Sequence, residues 1–288
     1  MGGPRSIWPL AAQLGEGPVW GGGALWFVDI KGPRVHRLDP ATGERRSWDA
    51  PELIGFVLPA EDGRFVAGLQ SGLHLFDPAT GHFEPHVEIE ADQPGNRIND
   101  GVVDIEGRLW FGTMDVAEKA KSGAFYRYER GAVVPAGIDG ICITNGPAIS
   151  PDGRILYHVD TLGGRISACE IGEDGRLGPS LPFARIDPKH GYPDGPTVDS
   201  EGCVWISLYA GWETRRYSPA GELIDRVRFP VANITKIAFG GEDLRTVYAT
   251  TARQFLSEEE IAKQPEIGDL FEFRVDVPGL PCPKVKLG

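Results

Sequence analysis

The amino-acid sequence predicts an all-β fold, a six-bladed β-propeller with four-stranded blades around a central channel. Three observations lead there. First, an acidic turn with a Gly, followed by an aromatic or β-branched run, recurs six times, as GGGALWFVD, EDGRFVAGL, IEGRLWFGT, PDGRILYHVD, SEGCVWISLY and GEDLRTVYAT. Equivalent positions are Trp26, Val66, Trp110, Leu156, Trp205 and Tyr248, at steps of 40, 44, 46, 49 and 43 residues. Repetition at roughly 40–50 residues marks propellers, solenoids and arrays. Second, each copy is followed by a segment that alternates apolar and polar residues around a Gly turn, such as RVHRLDPATGERRSW. That is a hairpin signature. Third, the segment connecting one unit to the next can supply a further strand, which makes four per repeat, the content of a propeller blade.

Taken in order, Ser6–Gln13 reads as a strand ahead of the first repeat. Paired with strands from the C-terminus, it would close the ring and remove an open edge. Leu14–Trp20 (LGEGPVW) places Glu16 between two glycines at the entry to a strand. The aromatic run of each repeat is assigned as the inner strand of its blade. Asp39–Gly43 and Asp77–Gly81 are identical DPATG turns, in which Pro presets φ and Gly supplies a positive φ. Asn96–Asp100 reads as a polar loop without a repeat partner. Alternation there puts Arg97 and Asn99 on one face and Ile98 on the other. Met114–Ser122 is a polar excursion after the third strand. An apolar stretch then ends at Asn145-Gly146-Pro147, and Gly191–Pro196 again sets a carboxylate, Asp194, beside Gly. The sixth repeat opens at Asn233 and includes Lys236, to which no chemistry is assigned. Gln254–Gln264 is the one clearly helical segment, opened by Ser257 and Glu260 at capping-box spacing.

Composition bounds the function. The 39 Gly and 24 Pro suit many tight turns, and a 41% hydrophobic content supplies a core. The repeats run without a composition break, so residues 1–288 are read as one domain. A formal net charge of −12 argues against a nucleic-acid partner, since phosphate binding needs a basic patch. Arg45-Arg46 and Arg215-Arg216 read as solvated pairs on hairpins. No run approaches the roughly 18 apolar residues of a membrane-spanning helix, and the N-terminal segment is too weakly apolar for a signal peptide. A cytoplasmic protein is expected. Cys142, Cys169, Cys203 and Cys282 lack CxxC spacing and read as free buried thiols. The six histidines show no metal-ligand spacing; His190 reads as a loop residue or a group behind the site. No Gly-x-Ser-x-Gly elbow is present for a serine esterase.

Glu16, Arg97, Asn99, Asn145 and Asp194 share one phase of the repeat, which in a propeller maps to one mouth of the central channel. Glu16, Asn145 and Asp194 offer two carboxylates and one amide oxygen. That hard, oxygen-only set suits Ca²⁺, Mg²⁺ or Mn²⁺ and tolerates Fe²⁺ or Zn²⁺. Three protein ligands leave positions open for water and substrate.

The motifs LGEGPVW at 14–20, NRINDG at 96–101, ITNGPAISPDGR at 143–154, YPDGPTVDSEGCVW at 192–205 and TKIAFGG at 235–241 together resemble the family of senescence marker protein 30 (regucalcin), gluconolactonase and related sugar lactonases. Asp139–Pro147 and Thr250–Arg253 resemble its bacterial pentonolactonase (xylonolactonase) branch. The resemblance implies a six-bladed propeller with one divalent metal ion in the channel, held by Glu16, Asn145 and Asp194. It also implies Asp194 as the general base and Arg97 and Asn99 as substrate contacts. An acidic residue after the third aromatic strand completes the set; Glu118 fits best and Asp115 competes. The expected reaction is hydrolysis of an aldonolactone to its open acid, in a monomer or weak dimer. A propeller that binds metal or a partner without catalysis competes with this reading. So does a calcium-dependent aryl esterase or organophosphate hydrolase.

Overall fold

Alternating strands and Gly turns build six four-stranded antiparallel sheets in the computed structural model, which describes residues 3–288. Blade 1 runs Gly15–Gly21, Ala24–Asp29, Arg34–Leu38 and Arg45–Asp49 from the axis outward. Blades 2 to 5 repeat that order, with first strands Ile54–Pro59, Asn96–Val103, Thr144–Ile149 and Tyr192–Val198. Blade 6 takes Ile234–Gly240, Thr246–Thr251 and Leu270–Arg274 from the C-terminal part, and its outer strand is Arg5–Trp8. The N-terminal strand thus closes the ring as expected. Trp8 extends the seam by packing edge-on against Phe27 and His36 of blade 1.

One assignment is corrected. The aromatic run of each repeat is the second strand of its blade, and the connecting segment is the innermost one. The six repeat positions lie at equivalent register in that second strand, opposite Val19, Leu58, Val102, Ile149, Thr197 and Ala238. All six are buried. The innermost strands of several blades carry Gly, Pro, Asn and Asp, residues that ordinarily argue against a strand. Consequently Asn96–Asp100 is buried strand and not a loop. The axis crowds these strands on both faces, and that burial overrides their weak propensity.

The acidic turn of the repeat also has a structural reason. Asp104 accepts the backbone N–H groups of Glu106 and Arg108 at 3.0 Å and the indole Nε1–H of Trp110 at 2.8 Å. Asp199 does the same for Glu201, Cys203 and Trp205. One buried carboxylate therefore fixes both the turn and the rotamer of the following Trp. Arg216 joins Asp199 at 2.8 Å, and its neighbour Arg215 is buried against Glu213 at 2.6 Å. This second basic pair is built into blade 5, not solvated. The four cysteines are free, three of them buried. A six-residue helix, Glu258–Lys263, is capped reciprocally by Ser257 and Glu260. No helix among the described residues is long and apolar enough to cross a membrane.

Candidate functional site

Pairing between the first and second strands slips at the same phase in every blade. The slip falls between Glu16 and Val19, Ile98 and Gly101, Asn145 and Ala148, and Pro193 and Pro196 in the four blades of interest. A bulge bends its strand and re-aims a side chain. Here the bulges set Glu16, Asn99, Asn145 and Asp194 around one cavity of about 240 Å³ at the axis, and Arg97 and Glu118 join its polar lining. Ile98 turns the other way, into the hydrophobic core.

Hydrogen bonds fix the polar side chains in a chain across blades. Arg97 Nη1 donates to Asn99 Oδ1 at 2.7 Å and to the Ile98 carbonyl at 3.1 Å. Asn99 Nδ2 donates to the Thr144 carbonyl at 2.6 Å and to Asn145 Oδ1 at 3.3 Å. Asn145 Nδ2 donates in turn to Thr161 Oγ1 at 2.9 Å. Arg97 Nε, fully buried, has no partner among the described residues, so this guanidinium keeps a donor in reserve.

The carboxylates are spent only in part. Glu16 Oε2 accepts Gly17 N–H at 2.7 Å and Asp194 Oδ1 accepts Gly195 N–H at 3.0 Å. The second oxygen of each takes no hydrogen bond among the described residues. Burial pushes the Glu16 carboxyl up to about 8, with Asp100 adding to the shift and Lys236 opposing it. Asp194 is raised well above the carboxylate range by burial, then by Glu16 and Asp100. Burial lowers Arg97 to about 10, against the attraction of Glu118, Glu16 and Asp194. The guanidinium stays charged at neutral pH. Two buried, underused carboxylates beside an oriented amide oxygen form a donor set that fits a hard divalent cation.

The choice between Glu118 and Asp115 follows from geometry. Asp115 accepts the backbone N–H groups of Ala117, Lys119 and Ala120 at 2.8–3.2 Å and so ties its own loop. Glu118, at φ 57°, lines the cavity and accepts from Gln254 Nε2 at 3.0 Å. His190 is exposed in the turn Pro188–His190, outside the cavity lining.

Residues 14–253 match the family model described as SMP-30/Gluconolactonase/LRE-like region. The chain belongs to this family. Among curated relatives, it is 38% identical to 6-deoxy-6-sulfogluconolactonase of Pseudomonas putida, over 92% of each chain. It is 35% identical to L-arabinolactonase of Azospirillum brasilense, over 90% of this chain and 87% of that one. Among solved structures, the calcium-binding protein regucalcin from Agrobacterium tumefaciens superposes with a TM-score of 0.93 at 31% identity. That match covers 97% of this chain and 96% of the other.

Several lining residues of this family member escaped sequence reasoning. Tyr209, Gln254 and Phe255 reach the cavity from the second strand of blade 5 and the segment before the helix. They had no motif to mark them. Lys236 and Asp100, paired beneath the site at 2.5 Å, did leave a signal. A lysine inside the run Ile234–Gly240, buried throughout, needs a carboxylate partner, and NRINDG offers one.

Proposed function

We propose that this chain hydrolyses a sugar lactone to the corresponding aldonic acid at the axial cavity, with a divalent cation held by Glu16, Asn145 and Asp194. The observation that carries this reading is the convergence of those three side chains, from three blades, on one small cavity with Arg97 and Asn99 of a fourth. The lactonase names of the relatives at 35–38% identity support the reaction class. A bound divalent ion supplies electrophilic activation of the lactone carbonyl and charge stabilisation as that oxygen becomes negative. Calcium is one candidate, from the name of the regucalcin neighbour.

The chain's own residues do the rest. Arg97 and Asn99 are locked to each other, so Arg97 presents a fixed donor and Asn99 Oδ1 a fixed acceptor to the hydroxyls of a sugar ring, which orients its carbonyl carbon. Glu118, half-buried at the rim, accepts from a further hydroxyl. Asp194 has one carboxylate oxygen free of protein donors and takes a proton from water there. Water adds to the carbonyl carbon, the bond to the ring oxygen breaks, and the ring oxygen leaves protonated as a hydroxyl. The cavity, of about 240 Å³, suits a monosaccharide lactone.

A panel of aldonolactones, assayed with metal-stripped and reconstituted protein, tests the reading. Hydrolysis is expected to vanish on stripping and return with the ion. Asp194→Asn is expected to lower kcat by about 10³-fold or more with the fold intact by circular dichroism. Near-normal turnover by that variant would reject the assigned role.

A further inference from the structure

A second cavity, of about 440 Å³, lies at the opposite mouth of the channel, lined by apolar residues such as Trp20, Phe56 and Phe239 and by the C-terminal segment 280–283. The two cavities share strands residue by residue. Glu16, Asn145 and Asp194 face the first, and Pro18, Pro147 and Pro196 face the second. Between them stands an ion pair. Lys236 of blade 6 donates from Nζ to Asp100 Oδ1 of blade 3 at 2.5 Å, and both side chains are buried. Blades 3 and 6 are three places apart in a ring of six, so this bridge crosses the axis along a diameter.

Both partners also touch the neighbours of the carboxylate and amide set. Asp100 Oδ2 accepts Gly146 N–H at 2.9 Å, one residue from Asn145. The Lys236 stem lies over Gly195, one residue from Asp194, so closely that an added Cβ would meet its Cγ at 2.5 Å. We propose that the Lys236–Asp100 pair is a built-in pair of opposed charges beneath the cation site, whose two members together set the charge a divalent ion meets. This rests on the reading of Glu16, Asn145 and Asp194 as the cation's ligands.

The charges make the consequence concrete. Glu16, Asp100 and Asp194 are buried acids at the axis, and Arg97 and Lys236 are the buried bases. Asp100 reaches Asn145 through Gly146, and Lys236 reaches Asp194 through Gly195, so each partner of the pair sets its charge against the ligand set. With all five ionised the net charge is −1, which a divalent ion inverts to +1, enough to receive one developing oxyanion. Removing Lys236 alone deepens the negative charge, and removing Asp100 alone cancels it.

Isothermal titration of the full chain with CaCl₂ and with MnCl₂ at pH 8.5 tests this, using Lys236→Met, Asp100→Asn and the double replacement. Expected is a shift of the singles in opposite directions. Lys236→Met tightens the ion about fivefold or more and Asp100→Asn weakens it by a similar factor, since like charges oppose and unlike charges aid across a few ångströms. The double replacement returns to within about twofold of the parent, because the net charge is restored. A merely structural pair predicts that both singles weaken binding, and that result would overturn the proposal, as would no change in either. Should Lys236→Met fail to fold, Asp100→Asn against the double replacement carries the same contrast. Absence of binding by the parent protein would instead sink the cation reading itself.

Discussion

At the scale of single residues, the protein keeps charge where solvent cannot reach it. A buried carboxylate is tolerated only with donors or a cation nearby, and Glu16 and Asp194 each have one backbone donor. The histidines show the opposite solution. Burial holds His36 and His158 down to about 4, outweighing the nearby Asp29 and Asp160. The unfolded chain takes up protons at these two positions below an ordinary histidine value of about 6.5, while the folded chain refuses them until about pH 4. Stability contributed by their neutrality is therefore complete above about pH 6.5 and is lost as pH falls toward 4. At about 1.4 kcal/mol per pKa unit, each accounts for on the order of 3–4 kcal/mol over the full range. Urea denaturation at pH 7 and pH 4.5 is expected to show that loss, and replacing both histidines with Gln should flatten it. An unchanged slope in the double variant would contradict the assignment.

At the scale of elements, function depends on one repeated irregularity. The bulge in the first strand of each blade frees one or two residues from the ladder, and four of the six bulges carry polar side chains to the same cavity. Gly146 makes the blade 4 bulge possible. Its φ of 78° suits glycine, and a Cβ there would meet Pro196 Cγ at 2.6 Å. Gly146→Ala is expected to cost about 1–3 kcal/mol of stability and to weaken cation binding by displacing Asn145. A variant with unaltered melting temperature and ion affinity would show that the bulge does not need this backbone. The equivalent position in blade 1, Gly17, has a φ of 55°, so the same device serves two of the proposed ligands.

At the scale of the whole molecule, a ring must close to hold its axis. Arg5–Trp8 supplies the last strand of blade 6, and Ser6 Oγ donates to Asp269 at 2.7 Å. Deleting residues 1–10 is expected to expose Leu270–Arg274 as an edge and to lower stability by several kcal/mol, on the order of a large core truncation. Retention of the parent melting temperature would assign closure elsewhere. A cation held by Glu16, Asn145 and Asp194 would tie blades 1, 4 and 5 together. Saturation at about 100 times its Kd adds roughly 2.7 kcal/mol, a rise of roughly 5–10 °C for a chain of this size. The rise is expected to be larger at pH 8 than at pH 5. Burial raises Glu16 to about 8 and raises Asp194 as well, so protons compete with the ion for these two carboxylates more strongly at pH 5. Equal shifts at both pH values would argue against those two carboxylates as ligands.

The sequence alone determined the architecture, because a repeat writes the same local instructions six times. Acidic turns, DPATG corners and register-equivalent Trp26, Trp110 and Trp205 each report short-range physics that needs no tertiary context. It also determined which polar residues share a phase, hence that Glu16, Arg97, Asn99, Asn145 and Asp194 meet at one mouth. Only the tertiary structure decided which strand is innermost, since crowding at the axis, not propensity, makes strands of Gly- and Asn-rich segments. It alone shows Glu118 and not Asp115 lining the cavity, since the Asp115 carboxylate is taken up by its own loop. The Lys236–Asp100 bridge, joining residues 136 apart, exists because the ring brings opposite blades within reach across its diameter.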